Sequence, residues 1–416
     1  MGGTRSDERS YSPTISGRQL LVQDSTQPTF PLATSTWDDK EYQALQDVIA
    51  SGRFTMGPEV KAFEQEFASH FGAKYAVMVN SGSSANLAAV AAAVLSPHVR
   101  LQAGDEVLVP AVSWPTTYYP LHQYGLRMKF VDVNVDTLNI DLDLLEAAIT
   151  PQTRAVFAVS LLGNPVDFAA LTDLCERHDL VLLEDNCESL GARQNGKATG
   201  TFGLMGTFSS FFSHHISTME GGLIVTDDEY LYQAMISIRA HGWTRELADD
   251  NLIHAKTGNA FEDSFRFVLP GYNLRPLEMS GALGRHQLRK VDGIVAGRRA
   301  NAVLFAQQFA DNPNLRIQKE TGESSWFGFS FLLEGALAGR RAEVVAALTE
   351  AGIESRPIVA GNFTRNPVID LLDAVVPDSL PVADHIHENG LFVGNHHYPI
   401  ERELELLHSV IASVQV

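Results

Sequence analysis

Cysteine is nearly absent from this 416-residue chain: Cys175 and Cys187 are the two thiols, and they form no CxxC pair. Two thiols exclude a disulfide-stapled scaffold and cannot fill the four-cysteine ligand set of an ordinary iron–sulfur cluster. Their plain role is buried packing, since a free cysteine behaves as a small hydrophobe. Basic residues are also scarce, 31 against 50 acidic, for a formal charge of −19. That balance argues against broad nucleic-acid binding, which rests on lysine and arginine at phosphates, but leaves room for a small anionic substrate in a locally basic pocket. No apolar run reaches the roughly eighteen residues a membrane helix needs. No secretory pattern opens the chain, so a cytoplasmic protein is expected. A last absence is local: no lysine occurs between Lys197 and Lys256.

What is present reads as a globular α/β protein, 45% hydrophobic and 19% charged, long enough for two domains. Residues 1–30 carry no apolar periodicity and are expected to form an N-terminal tail. Two amphipathic helices follow within 31–72, each stopped by a glycine, and are candidates to pack on a smaller lobe. Apolar strands then alternate with helices: AVMVN (76–80), EVLVPA (106–111), KFVDV (129–133), AVFAVSL (155–161) and LVLLED (180–185). Continuous apolar strands in this rhythm predict a mainly parallel sheet buried on both faces. The large domain is expected over 31–290, with a helix near 274–298 at its end. A smaller α+β domain is expected over 291–416.

Four segments carry chemistry. Asn80 to Ala85, with Gly82, Ser83 and Ser84, lies between a strand and an alanine-rich helix, where small residues and a helix N-terminus favour an anion. Read alone, it is equally an N-capped turn. Trp114 follows the next strand and has the flat face to stack on a ring, although core packing would use it too. Asp185 and Glu188 stand at the C-terminal end of LVLLED, the edge where open α/β sheets bind ligands. A carboxylate there can hold a heterocyclic nitrogen protonated, or simply cap a helix. The fourth segment runs from Thr207 to Gly222 and contains Ser209, His214, His215 and Glu220.

Taken together and in order, these segments resemble the fold-type-I sugar aminotransferases of the DegT/DnrJ family. The resemblance covers nearly the whole chain after residue 38 and includes Gly271-Tyr272-Asn273-Leu274-Arg275, similar to the family's GYNxR segment. It implies the fold of pyridoxal-phosphate (PLP) dependent transferases, with a mainly parallel seven-stranded sheet and a smaller C-terminal lobe. In that family the lysine that tethers the cofactor lies five residues after a phosphate-binding serine and six before the glutamate of an EGG triplet. Ser209 and Glu220 mark those places here, and His214 stands between them. With no lysine nearby, a small shift in register restores none.

Histidine at this place resembles the nucleotide-sugar 3-dehydratase subgroup, as do Ser325-Trp326-Phe327-Gly328-Phe329 and the Gly361 to Pro367 stretch. The resemblance implies a noncovalently held pyridoxamine phosphate or PLP. Gly82, Ser83, Ser84 and Ser209 would hold its phosphate, Asp185 its ring nitrogen, Glu188 would lie near its hydroxyl, and Trp114 would cover its face. Asn273 would reach the phosphate of a neighbouring subunit, so a homodimer with shared active sites is implied. His214 would be the acid/base, since imidazole gives and takes protons at cellular pH, and His215 is read as structural.

The activity implied is 3-dehydration of a nucleotide-linked 4-keto-6-deoxy sugar, with L-glutamate restoring the amine form. His241, Arg245, Arg356 and Arg365, together with Arg239, are candidates for substrate or glutamate contacts, or else ordinary surface and packing residues. One branch of the subgroup uses a [2Fe–2S] cluster and a partner reductase. Its cysteines have no counterparts after Glu220, so the cluster-free branch, without reductase or metal, is expected. Two alternatives stay open at this point: a nucleotide-sugar aminotransferase that lacks the lysine, and a binding protein that keeps the cofactor fold without catalysis.

Overall fold

The computed structural model describes residues 28–415. In chain order its helices are α1 (Asp39–Ser51), α2 (Pro58–Phe71), α3 (Gly82–Leu95), α4 (Pro115–Gln123), α5 (Leu142–Ala148), α6 (Phe168–Arg177), α7 (Glu229–Arg239), α8 (Ala260–Asp263), α9 (Glu278–Leu288), α10 (Val291–Phe309), α11 (Arg341–Glu350), α12 (Pro381–Asn389) and α13 (Glu401–Gln415). The strands are β1 (Tyr75–Val79), β2 (Glu106–Pro110), β3 (Arg127–Val131), β4 (Thr153–Val159), β5 (Val181–Asp185), β6 (Arg193–Gln194), β7 (Lys197–Ala198), β8 (Met205–Ser209), β9 (Gly222–Thr226), β10 (Leu315–Ile317), β11 (Gly328–Leu333), β12 (Ser355–Arg356), β13 (Ala374–Val375) and β14 (Gly390–Gly394).

Local chemistry sets the helix ends that matter. Asp38 and Glu41 close a capping box on α1, and Gly52 and Gly72 take left-handed backbone at the ends of α1 and α2. Apart from its first turn, α3 is almost all alanine and apolar residues, with Ala88, Ala89, Ala91, Ala92 and Ala93 essentially inaccessible. A helix apolar on every side is buried on every side. It packs against β8 and β9 on one side and α4 and α7 on the other. Small side chains let it approach the sheet closely, and its N-terminus is thereby carried to the sheet's C-terminal edge.

The main sheet runs β1-β9-β8-β5-β4-β2-β3-β13, with β9 antiparallel to both neighbours and the other pairs parallel. The seven strands expected of the large domain are all there. An eighth, two-residue strand from the C-terminal third, β13, pairs parallel with β3. A four-stranded antiparallel sheet, β10-β11-β14-β12, forms the smaller lobe with α10, α11 and α13. Its core is aromatic, with Phe305 stacked on Phe329 at 4.2 Å beside Phe309 and Phe331.

Four expectations about layout need correction or refinement. Most of the tail expected over 1–30 lies outside the described residues, but Phe30 is fully buried in the small lobe, bridged to Ile353. Helices α1 and α2 pack chiefly on α9, and on the smaller lobe α2 meets only the start of α10: Val60, Phe63 and Phe67 join Phe208 and Leu288 in a cluster that takes in Val291 and Val295. The division at residue 290 is not clean either. Ile358, Phe363, Ala383 and Ile386 are buried in the large-domain core, and Asp132 caps α12 by accepting from the amides of Val382 and Ala383 at 2.9 and 2.8 Å. The helix expected near 274–298 is two helices, α9 and α10, and the second extends to Phe309.

Candidate active site

Strand β5 ends in two consecutive carboxylates, which alternation sends to opposite faces. Glu184 turns inward and accepts from the amides of Gly200 and Gly203, both at 2.6 Å. Desolvation lifts its pKa to about 7 against those two bonds. Asp185 turns toward α3. Its Oδ2 accepts from Asn86 Nδ2 and from Thr117 Oγ1, each at 2.8 Å, and its Oδ1 accepts from the Cys187 amide at 3.1 Å. Asn86 is itself fixed by Thr207 Oγ1 at 2.6 Å, and Thr117 by Ser113 at 2.9 Å. The Asp185 carboxylate is thus held by Asn86, Thr117 and Cys187, the first two fixed in turn by Thr207 and Ser113. Glu188 accepts from the Leu162 amide at 2.9 Å, and burial, helped by the Asp185 charge, pushes its pKa up to about 7.

Beside Asp185 the start of α3 forms a cradle. Ser81 caps the helix by accepting from the Ser84 amide at 3.1 Å. A Cβ on Gly82 would lie 2.7 Å from Ser209 Cβ and 3.0 Å from Cys187 Sγ, so only glycine allows this approach. Ser83 Oγ donates to Thr116 Oγ1 at 3.2 Å, tying the cradle to the segment that carries Trp114. Ser84 spends its amide on Ser81, but its hydroxyl only accepts from Ser81 Oγ and keeps its proton to donate, so the groups open to an anion are those of Gly82 and Ser83 and the Ser84 hydroxyl, with Ser209 opposite. Trp114, at the N-cap of α4, leaves 58% of its surface exposed, unusual for a ring with no solvent role.

The bend after β8 places the two histidines differently. His215 is fully buried and donates Nε2–H to the Ser325 carbonyl at 3.0 Å, which fixes its tautomer. His214 is partly exposed, sits edge-on to Phe327 with ring centres 5.1 Å apart, and has a buried Nδ1 with no partner. Burial, and then the charge of Arg298, hold its pKa down to about 4.

The remaining candidates scatter. Arg239 is in the core, paired with Glu64 and donating to the Met78 carbonyl at 2.7 Å, so it is a structural ion pair and not an open ligand. His241 adopts left-handed backbone (φ 63°) and packs on Trp243, with Arg245 over the same indole at 5.9 Å. Asn273 is exposed and accepts from Arg275 Nε at 2.9 Å. Arg356 is exposed on β12, and Arg365 pairs with Glu388 at 2.9 Å and Asp384 at 3.6 Å. Sequence reasoning passed over Asn86, Thr117 and Thr207. The signal for Asn86 was there: beyond the first turn it is the one polar residue of α3.

A fixed carboxylate, a glycine–serine anion cradle on a helix N-terminus and an exposed indole converge at the C-terminal edge of a mainly parallel sheet. This donor set fits the ring nitrogen, phosphate and ring face of PLP. Fold and site together define the class as the PLP-dependent aminotransferase fold. Residues 35–414 match the model of the DegT/DnrJ/EryC1/StrS aminotransferase family, and the chain belongs to that family. It is 55% identical over 384 residues to the GDP-4-keto-6-deoxy-D-mannose 3-dehydratase of Yersinia pseudotuberculosis, covering 92% of this chain and 98% of that one. The solved structure of the Escherichia coli enzyme of the same name, with bound hydrated PLP, superposes with a TM-score of 0.90 at 54% identity, over 92% and 99% of the two chains. A structure of a GDP-4-keto-6-deoxymannose-3-dehydratase with a trapped PLP–glutamate geminal diamine agrees equally well, with the same score, identity and coverage.

Proposed function

We propose that this protein is a PLP-dependent nucleotide-sugar 3-dehydratase that removes the C3 hydroxyl of a GDP-linked 4-keto-6-deoxy sugar and leaves a 4-keto-3,6-dideoxy sugar. The observation that carries the reading is His214: it occupies the lysine's place in a site otherwise complete for the cofactor. High identity over nearly the full length of the 3-dehydratases supports the substrate class.

The bound cofactor, in its amine form, supplies a nucleophile for the C4 ketone and a ring that accepts electrons from the C4′ carbon. The protein does the rest. Gly82, Ser83, Ser84 and Ser209 hold the phosphate, and Trp114 covers one face. Asp185, locked by Asn86 and Thr117, keeps the ring nitrogen protonated. Glu188 stands near the ring hydroxyl. His214 has no amine to bond the cofactor covalently, so these contacts alone retain it.

As a neutral imidazole, His214 takes a proton at C4′ and returns one to the departing C3 hydroxyl, which leaves as water. The sugar leaves with the cofactor's nitrogen as an unsaturated amine that tautomerises and is hydrolysed by water to the 4-ketone and ammonia, and glutamate then restores the amine form, with His214 again moving the proton. The bound PLP–glutamate species in the related dehydratase supports that donor. Asn273 is exposed in the single chain, as a residue serving a neighbouring subunit would be, and we read the enzyme as a homodimer with shared sites. His241, Arg245 and Arg356 are the substrate-contact candidates whose side chains remain open. The small cysteine inventory fits a reaction without reductase or cluster. Among the described residues no helix is long and apolar enough to cross a membrane.

Incubation with GDP-4-keto-6-deoxy-D-mannose, PLP and glutamate tests the reading. The expected products are the 3-deoxygenated sugar nucleotide and an equivalent of ammonia. A stable amino sugar without ammonia would identify an aminotransferase instead.

A further inference from the structure

One buried charge, bonded to the turn whose Phe327 ring abuts His214, has no counter-ion among the described residues. Arg298, on α10, is 5% exposed, and its Nη1 donates to the backbone carbonyls of Phe327 at 2.8 Å and Trp326 at 3.3 Å. Among the described residues no carboxylate pairs with it, and its Nε has no partner. Burying a guanidinium without an anion is costly, and the lost hydration lowers its pKa only to about 10, so it stays charged at neutral pH.

The carbonyls it holds belong to a strained turn. Trp326 has left-handed backbone (φ 49°), and the turn is pinned by Ser325 N–H to the Gly163 carbonyl and Phe327 N–H to the Leu162 carbonyl, both 2.9 Å, and by Asn395 Nδ2 to the Trp326 carbonyl at 2.9 Å. The same turn carries the Ser325 carbonyl that fixes His215 and the Phe327 ring that abuts His214. Burial first and the Arg298 charge second disfavour the protonated form of His214, and of His215 beside it.

We propose that Arg298 is a positioning residue for the dehydration: its guanidinium fastens the Ser325 to Phe327 turn against the two histidines and its uncompensated charge keeps His214 a proton acceptor. This rests on the reading of His214 as the base. The turn fixes where the imidazole lies, and the charge opposes imidazolium until a proton is taken from the substrate complex. A like charge nearby disfavours the protonated form of a histidine. A neutral partner would hold the turn but not the protonation state.

Histidine-labelled, cofactor-free protein, with His214 assigned by difference from His214→Asn, gives a readout independent of activity. In the wild type the His214 resonance should titrate well below the usual histidine range. Arg298→Lys should keep it low, whereas Arg298→Met should raise the midpoint. A wild-type midpoint near the ordinary value, or no change in Arg298→Met, overturns the proposal. The wild-type titration decides even where the Met variant does not fold. With cofactor and substrate, Arg298→Met should lose about twofold in kcat at pH 5 relative to pH 8, given a pKa rise on the order of one pH unit, with KM little changed. Should the resonance move while the acid limb of turnover stays, Arg298 acts on His214 as proposed but His214 is not the base.

Discussion

Gly82 and Ser209 approach so closely that a Cβ on the glycine would stand 2.7 Å from that of the serine. The contact joins the start of α3 to the end of β8 and leaves a cradle whose width is set by the missing side chain. Gly82→Ala has to push the helix N-terminus away or turn Ser209 aside. Equilibrium dialysis or absorbance titration with PLP should show affinity reduced by tenfold or more. Because no covalent bond compensates, the variant should lose cofactor on gel filtration.

Asn86 donates to Asp185 and accepts from Thr207, so its removal leaves buried groups unsatisfied on both sides. Asn86→Ala should cost about 1–3 kcal/mol in stability, read from urea unfolding of the cofactor-free protein. It should also weaken cofactor binding, since Asp185 is then free to rotate. Thr117→Val, which removes one donor and keeps the volume, should show a smaller loss of the same kind.

Legibility in the sequence followed burial. The strands that become β1 to β5 are apolar on both faces because helices cover both, and the pattern appears as runs. Gly52 and Gly72 end their helices as expected because left-handed backbone selects glycine. By contrast β13 has two residues, and its pairing with β3, like the Asp132 cap on α12, joins segments some 250 residues apart in sequence, which no local pattern records. The site divided the same way. Asp185, Gly82 and Ser209 are legible because their chemistry is carried by residue type at a strand or helix end. Arg298 is not, because its character comes from the carboxylate it lacks, and Arg239 looked open because Glu64 lies far from it in sequence.

Glu188 gives the unligated protein a pH dependence. Its folded pKa is raised from 4.5 to about 7, chiefly by burial. Across that window the folded protein keeps a proton that the unfolded chain has released, so stability falls as pH rises. The magnitude is up to about 3 kcal/mol, at roughly 1.4 kcal/mol per pH unit of displacement. Glu184 adds a trend of the same sign. Urea midpoints of the cofactor-free protein should therefore decline between pH 5 and pH 7. Glu188→Gln, which can still accept from the Leu162 amide, should flatten the decline without abolishing it. A midpoint that rises across this range would contradict the assignment.

His215 should prove structural. His215→Asn breaks the bond to the Ser325 carbonyl and opens space in a fully buried position, so it should lower the melting temperature and reduce turnover at all pH values alike. His214→Asn, at a partly exposed position with no hydrogen bond to its ring, should leave the melting temperature nearly unchanged. The contrast can be read in one thermal scan of each variant with its pH–rate profile.

The central claim is that His214 moves the proton at C4′, and hydrogen exchange at that carbon tests it most directly. With glutamate in deuterated buffer and the sugar nucleotide omitted, the wild-type protein should incorporate deuterium at C4′ of the cofactor. His214→Asn should bind the cofactor with similar affinity and exchange at least a hundredfold more slowly, the lower end of what a positioned acid/base contributes. Exchange in His214→Asn at the wild-type rate would contradict the account.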